Sequence, residues 1–306
     1  MERVRVYVPG SIGNVGPGLD ILGLAVRGAG DTLVAKRIRG SRLVVEESGD
    51  PVLSSDPTRH ASALAANAAR RLARQRSVGM ALWLTKGLPL SGGQGGSAAS
   101  AVAGAVAANA LMGFPLSDDE LLLAALAAET VLAGRHLDNI APSLLGGLVL
   151  IRSLDPLDYV RLSPPRSLHL VLAKPNYQLR TKRGRSVLPA KVSRATALHQ
   201  AAQVATMVAA ANRNDVALFG RAIDDRIAEP ARAALLPGFL EAKRAALKAG
   251  AFGCSISGSG PTLFAVTDDA DQAALIGTAV RNAYRRAGFA ADVRLTTADR
   301  QGARIK

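Results

Sequence analysis

Leu88-Pro89-Leu90-Ser91-Gly92-Gly93-Gln94-Gly95-Gly96-Ser97-Ala98-Ala99-Ser100 follows a strand-like segment, Met80–Thr85, and opens an alanine-rich stretch that carries no charge as far as Ser117. Glycines let a backbone turn tightly and come close to a ligand. The pattern predicts a helix that starts near Gly96 and ends before Gly113. Because the first amides of a helix have no acceptor of their own, a turn of this kind at a helix start is an anion cradle. Simple chain reversal is the competing reading. The stretch is not a Walker A loop, since the Lys-Ser/Thr pair is missing, and it lacks the context of a dinucleotide G-x-G-x-x-G. A phosphate bound here is held mostly by backbone.

The uncharged run is long enough to span a membrane. Its first third is glycine and serine and the rest is mostly weakly apolar alanine, which predicts a buried helix instead. Outward from it, strands are expected at 3–8, 32–38, 42–47, 148–152, 157–162 and 168–173, with a helix over 60–75. Ser117-Asp118-Asp119-Glu120 is a capping box that starts a helix ending near Gly134. Helices dominate from 191 to 249, followed by a strand at 262–266, a helix over 269–287 and a strand near 290–295. Without a regular strand–helix alternation, the fold class is α+β in two layers, divided into residues 1–155 and 156–306. The N-terminal segment alternates charged and apolar residues and lacks the apolar stretch of a signal peptide.

Composition narrows the function. The 306 residues include 38 Lys and Arg against 24 Asp and Glu, a formal charge of +14, which favours anionic partners. A hydrophobic content of 48% excludes a disordered chain. Cys254 is the single cysteine, which excludes an internal disulfide and a cysteine-rich zinc site and favours a reducing, cytoplasmic setting. Aromatic residues make up 4%, too few for a nucleic-acid surface built on stacking. Between Asp158 and Asp215 there is no acid, while Lys174, Arg180, Lys182, Arg183, Arg185, Lys191 and Arg194 fall in that interval. Such a run predicts a positive field around an anion, either nucleic acid or a small phosphorylated or carboxylated substrate clamped by one or two arginines.

Two further loops are rich in glycine. Pro9-Gly10-Ser11-Ile12-Gly13-Asn14-Val15-Gly16-Pro17-Gly18-Leu19-Asp20 brings an amide and a carboxylate to exposed backbone, and Gly253-Cys254-Ser255-Ile256-Ser257-Gly258-Ser259-Gly260-Pro261-Thr262 leads into a strand. Glu129 lies in an apolar helical stretch, where a carboxylate must be exposed, paired or metal-bound. Magnesium suits it, because that ion takes one or two carboxylates and completes its shell with substrate phosphates.

The three loops together resemble the three motifs of the GHMP kinases, over essentially the whole chain, and most closely those of the homoserine kinases. Asn14-Val15-Gly16-Pro17-Gly18-Leu19-Asp20 resembles N-x-G-P-G-F-D, His136-Leu137-Asp138-Asn139-Ile140-Ala141-Pro142 resembles H-x-D-N-x-A-P, and Gly253–Pro261 resembles the closing G-x-S-x-S-G-S-G-P. Segments around Thr181 and Arg185 and around Asp225 and Arg232 are similar as well. The resemblance implies a two-domain GHMP kinase fold, with an N-terminal domain like ribosomal protein S5 domain 2 and a ferredoxin-like C-terminal domain, commonly in a homodimer. It implies transfer of the γ-phosphoryl group of ATP, with Mg2+, to the hydroxyl of L-homoserine, a step of threonine biosynthesis, with no nucleic acid or membrane as partner.

Residue by residue, the resemblance implies substrate contacts at Asn14, Asp20, His136, Asn139, Thr181, Arg185 and Arg232, with Asn14 and Asp138 as the catalytic candidates. It implies nucleotide contacts at Pro89, Ser91, Gly92, Gly93, Gln94, Gly95, Gly96, Ser97, Ala98, Ser100, Ser257 and Gly258, and metal ligands at Ser97 and Glu129. Asp20 suits the ammonium of an amino acid, and an arginine its carboxylate. The chain departs from the family's G-L-G-S-S-A: Gln94 stands in place of leucine and Gly96 in place of the first serine. A mevalonate- or sugar-type kinase of the same superfamily, whose substrate has no ammonium for Asp20, is the alternative enzyme; a basic nucleic-acid-binding protein is the alternative of another class.

Overall fold

A computed structural model describes residues 1–306 as two sheets with helices packed on them. Strands β1 (Arg3–Gly13) and β2 (Leu22–Arg37) pair antiparallel along nearly their whole length. After β3 (Leu43–Glu47) and helix α1 (Ala61–Leu72) comes β4 (Met80–Thr85), antiparallel to β2 and parallel to β3. Helices α2 (Gly96–Leu111), α3 (Asp118–Leu132) and α4 (Ile140–Leu145) lead to the hairpin β5 (Leu148–Leu154) and β6 (Leu157–Leu162).

The second sheet starts at β7 (His169–Pro175), followed by α5 (Thr181–Ser186), α6 (Arg194–Arg213), α7 (Val216–Arg221), α8 (Ala228–Ala233) and α9 (Phe239–Lys248). Strands β8 (Gly253–Ile256) and β9 (Leu263–Thr267), helix α10 (Ala270–Arg286) and β10 (Ala291–Thr297) complete it in the order β10-β7-β9-β8, all antiparallel. That order is ferredoxin-like, as the resemblance implies. A last short strand, β11 (Arg304–Ile305), crosses back to pair with β1.

The two α+β layers agree with the sequence reading, and several limits differ. Strand 3–8 continues to Gly13, and β2 begins at Leu22 rather than 32, because Leu22–Val26 is buried on both faces and so does not alternate. Residue 155 falls inside the β5–β6 hairpin, so the first sheet extends through Leu162 and recovers Arg304–Ile305 from the far end of the chain.

Helix α2 is buried on every side, which explains why its sequence has no polar face. Its alanines let α1 pack closely, and the Ser62 hydroxyl donates to the carbonyl of Ser100 at 2.8 Å. The capping box of α3 forms: the Glu120 amide donates to the Ser117 hydroxyl at 3.3 Å and the Ser117 amide to the Glu120 carboxylate at 2.8 Å. A cap of this kind contributes about 1 kcal/mol. A shared core joins the sheets, with Ile12, Leu22 and Leu24 meeting Leu170, Leu172, Phe219 and Phe264. No helix is long and apolar enough to cross a membrane.

Candidate active site

A cleft of about 500 Å3 opens where the glycine loop meets both layers. Gly95 precedes α2 with φ 68°, and a Cβ there would come within 2.2 Å of the Ser11 hydroxyl. The carbonyls just before it all turn away from the cleft. That of Gly92 accepts from the Thr262 hydroxyl at 2.5 Å, that of Gly93 from the Ser257 hydroxyl at 2.5 Å, and that of Gln94 from the Ser11 amide at 3.1 Å. The amides of Gly96, Ser97 and Ala98 have no acceptor in the chain, and all three residues line the cleft. A helix start with its donors free and the neighbouring carbonyls occupied elsewhere attracts an anion.

Beside these amides, the Ser97 hydroxyl donates to Glu129 Oε2 at 3.1 Å. Glu129 is 2% exposed, its Oε1 has no partner, and burial pushes its carboxyl above the usual range. A buried carboxylate with one oxygen free and a hydroxyl next to it matches a hard cation that completes its shell with phosphate oxygens. Of the three readings open for Glu129, the solvent-facing one does not hold.

Lys86, which the sequence reading passed over, also lines the cleft. Its ammonium pairs with buried Asp31 and donates to the Gly96 carbonyl at 2.9 Å and the Ser100 hydroxyl at 3.1 Å. The available signal was its position as the last charge before the uncharged run. Asp31 also accepts from the Ser100 hydroxyl at 2.7 Å and from the Gly87 amide at 3.1 Å, fixing the loop's entry.

A second polar group forms around Asp138. Its Oδ1 faces His136 Nδ1 at 3.1 Å, and its Oδ2 accepts from the Asn14 amide at 3.0 Å and from Asn139 Nδ2 at 3.5 Å. Gly13 must be glycine for this to fit, because a Cβ would lie 2.4 Å from Asp138 Oδ2. Burial acts to lower the pKa of His136, but the hydrogen bond and charge of Asp138 outweigh it and the net shift is upward. His136 Nε2 is buried without a partner.

The Asn14 side chain accepts from the Asp20 amide at 2.8 Å, and Arg185 of α5 forks onto the Asp20 carboxylate, with Nη1 3.1 Å from Oδ2. Arg232 is 2% exposed and held by the carbonyls of Gly184 at 3.0 Å and Gly258 at 2.9 Å. Thr181 opens α5 at the cleft wall, and Arg180, Lys182 and Arg185 from the acid-free run stand there too.

Most expected site residues therefore converge on one cleft: Pro89, Ser91 to Gly93, Gly95 to Ala98, Ser100 and Gly258, together with Asn14, Glu129, His136, Asp138, Asn139, Thr181, Arg185 and Arg232. Three stand differently. Gln94 points away, donating to the Thr262 hydroxyl at 3.2 Å and accepting from Arg294 Nη2 at 3.0 Å, so its side chain anchors the loop to the second sheet. Ser257 spends its hydroxyl on the Gly93 carbonyl. Asp20 lies behind Arg185 and outside the wall itself. Cys254 is buried away from the cleft, with its thiol pushed up by burial.

Comparison with known proteins places these residues in context. The family model for the GHMP kinases N terminal domain matches residues 63–147, and that for the GHMP kinases C terminal matches residues 207–286. A homoserine kinase of Arabidopsis thaliana is 40% identical over 311 residues, covering 99% of this chain and 84% of that protein. One from Chlorobium phaeovibrioides is 41% identical over 319 residues, covering 100% of each. The crystal structure of a homoserine kinase from Cytophaga hutchinsonii superposes with a TM-score of 0.94 at 36% identity, over 100% of this chain and 98% of that one.

Proposed function

The chain belongs to the homoserine kinases of the GHMP kinase superfamily, and we propose that its cleft carries the γ-phosphoryl group of ATP to the side-chain hydroxyl of L-homoserine, giving O-phospho-L-homoserine. What carries the reading at the level of residues is one juxtaposition. A backbone phosphate cradle at Gly96–Ala98 opens onto the same cleft as Arg185, which is paired with Asp20. An amino acid has an ammonium for Asp20 and a carboxylate for Arg185 or Arg232, so its two charges replace the contact the two residues make with each other. Mevalonate and sugars have no ammonium to offer.

In this proposal the phosphates rest on the amides of Gly96, Ser97 and Ala98 with Lys86 alongside, and the nucleobase packs among Val52, Leu53, Leu84 and Leu90. Glu129 and Ser97 are the residues that would hold Mg2+, which would supply charge neutralisation at the phosphate oxygens. Phosphoryl transfer asks mainly for positioning and electrostatic stabilisation. Asp138 has both oxygens engaged and acts by orienting: it fixes the ring of His136 and the backbone of Asn14. With Nδ1 directed at Asp138, His136 keeps its Nε2 free of any partner in the chain and available to the substrate hydroxyl. The hydroxyl then attacks while held by His136 and Asn14, with no general base assigned. Preorganised donors of this type are worth about 3 kcal/mol each in other enzymes.

A homodimer belongs to the same proposal. Helix α6 has four buried residues among its 20 and leaves Leu198 64% exposed; light scattering tests it against the 31.6 kDa of one chain. The function itself is tested by Mg2+-dependent ADP release with L-homoserine, mevalonate, galactose and L-serine. Turnover is expected with L-homoserine far above the rest, and preference for mevalonate or galactose would overturn the assignment.

A further inference from the structure

Two arginines are buried in this chain, Arg70 at 5% and Arg232 at 2% exposure. Neither meets a carboxylate. Each guanidinium is instead fixed by two backbone carbonyls: Arg232 by Gly184 and Gly258, and Arg70 by Ser41, at 2.8 Å, and Arg76. Four buried carboxylates, by contrast, meet a basic side chain: Asp31 with Lys86, Asp138 with His136, Glu229 with Lys243 and Asp299 with Arg304. An unpaired buried cation is costly unless an anion comes to it. Arg232 lies where the carboxylate of a substrate is expected. Arg70 lies elsewhere.

Arg70 closes the last turn of α1 and lines a shallow pocket, separate from the cleft, with Ser41, Asn67, Arg71, Arg76 and Ser77. Nothing apolar or acidic enters this lining. Nε of Arg70 has no partner, and the side chains of Arg71 and Arg76 make no hydrogen bond or ion pair, so they are free to turn toward a ligand. Three guanidinium groups flanked by two serine hydroxyls and an asparagine amide match the charge and the acceptor oxygens of a tetrahedral dianion. We propose that this pocket is a second anion site, for a phosphate or the phosphate group of a small phosphorylated metabolite. It lies on the helix whose opposite end, with His60 and Ala61, borders the catalytic cleft.

The test uses the whole chain with the cleft filled by a non-hydrolysable ATP analogue, Mg2+ and L-homoserine. Inorganic phosphate and O-phospho-L-serine are titrated calorimetrically, and crystals grown free of phosphate and sulfate are soaked in tungstate. Expected are one binding event with the cleft occupied and an anomalous peak among Arg70, Arg71 and Arg76. Binding of free phosphate alone assigns the site to the inorganic ion, and tighter binding of phosphoserine assigns it to a phosphate ester. In the double variant Arg71→Ala/Arg76→Ala the affinity falls about tenfold or more while kinase turnover without added phosphate is unchanged. No binding event, the same affinity in the double variant, a tungstate peak confined to the cleft, or binding of heparin without binding of phosphate would each overturn the proposal.

Discussion

Arg185 and Asp20, 165 residues apart in the sequence, meet as a two-pronged ion pair that joins α5 to the loop between β1 and β2. Each is about a third exposed, so the contact is open to exchange with a bound molecule. Breaking it costs little for a ligand that offers both charges and much for one that offers a single charge.

Asp20→Asn is therefore expected to raise KM for L-homoserine about 10- to 100-fold, the range of a charge-assisted hydrogen bond, with kcat falling far less. Steady-state kinetics at saturating ATP measures this. Collapse of kcat with KM unchanged would assign Asp20 to the chemistry instead of to binding.

Glu129 exchanges stability for function. Its carboxyl is raised by burial, so its favourable contribution to folding is complete below the unfolded pKa and is lost as pH rises through the folded one. At pH 7 to 8, without metal, Glu129→Gln is expected to be more stable than the parent by about 1 kcal/mol or more, read as a higher Tm, while Mg2+-dependent turnover is lost. A lower Tm in the variant would show that the buried carboxylate is already compensated.

His136 titrates above the ordinary histidine value because Asp138 outweighs burial. In Asp138→Asn burial is left in command, and the pKa of the ring, followed by NMR, is expected to drop below about 6.5. The stability supplied by the pair is present below the unfolded pKa and fades as pH rises through the raised folded value. Parent and variant should accordingly converge in Tm toward alkaline pH. A His136 pKa that ignores the substitution would remove Asp138 as its orienting partner.

Gln94→Leu restores the residue usual in the family and removes the acceptor of Arg294, whose side chain is partly buried. A loss of about 1–3 kcal/mol is expected from the orphaned donor. With the loop less firmly tied to the second sheet, KM for ATP should rise several-fold while kcat stays close to that of the parent. Gln94→Glu, which keeps the acceptor, should recover the ATP affinity; if it does not, the tie is not what places the loop.

What could be read from the sequence was local. Ser117 and Glu120 lie within one turn, so their box was visible, and the uncharged alanines announced a buried helix because no solvated face was left to find. The motif around Gly95 gave the cradle for the same reason. What escaped depends on partners far along the chain: Lys86 acquires its meaning from Asp31, and Gln94 turns from the cleft because Arg294 and Thr262 wait on the side of the other sheet. Helices α4 and α5, each 6 residues long, are too short for a periodicity to show. The free Oε1 of Glu129 is a matter of orientation, which no local pattern encodes.

Strand β11 has a consequence for the order in which the molecule is made. Val6 and Tyr7 of the first strand take Ile305 and Arg304 as neighbours, and Arg304 and Lys306 lie over the Tyr7 ring. A nascent chain emerging from the ribosome thus leaves that flank of β1 bare until the whole of the later sheet has been translated. During that interval a chaperone, or a neighbouring copy in a polysome, finds an unclosed edge that the finished protein no longer offers.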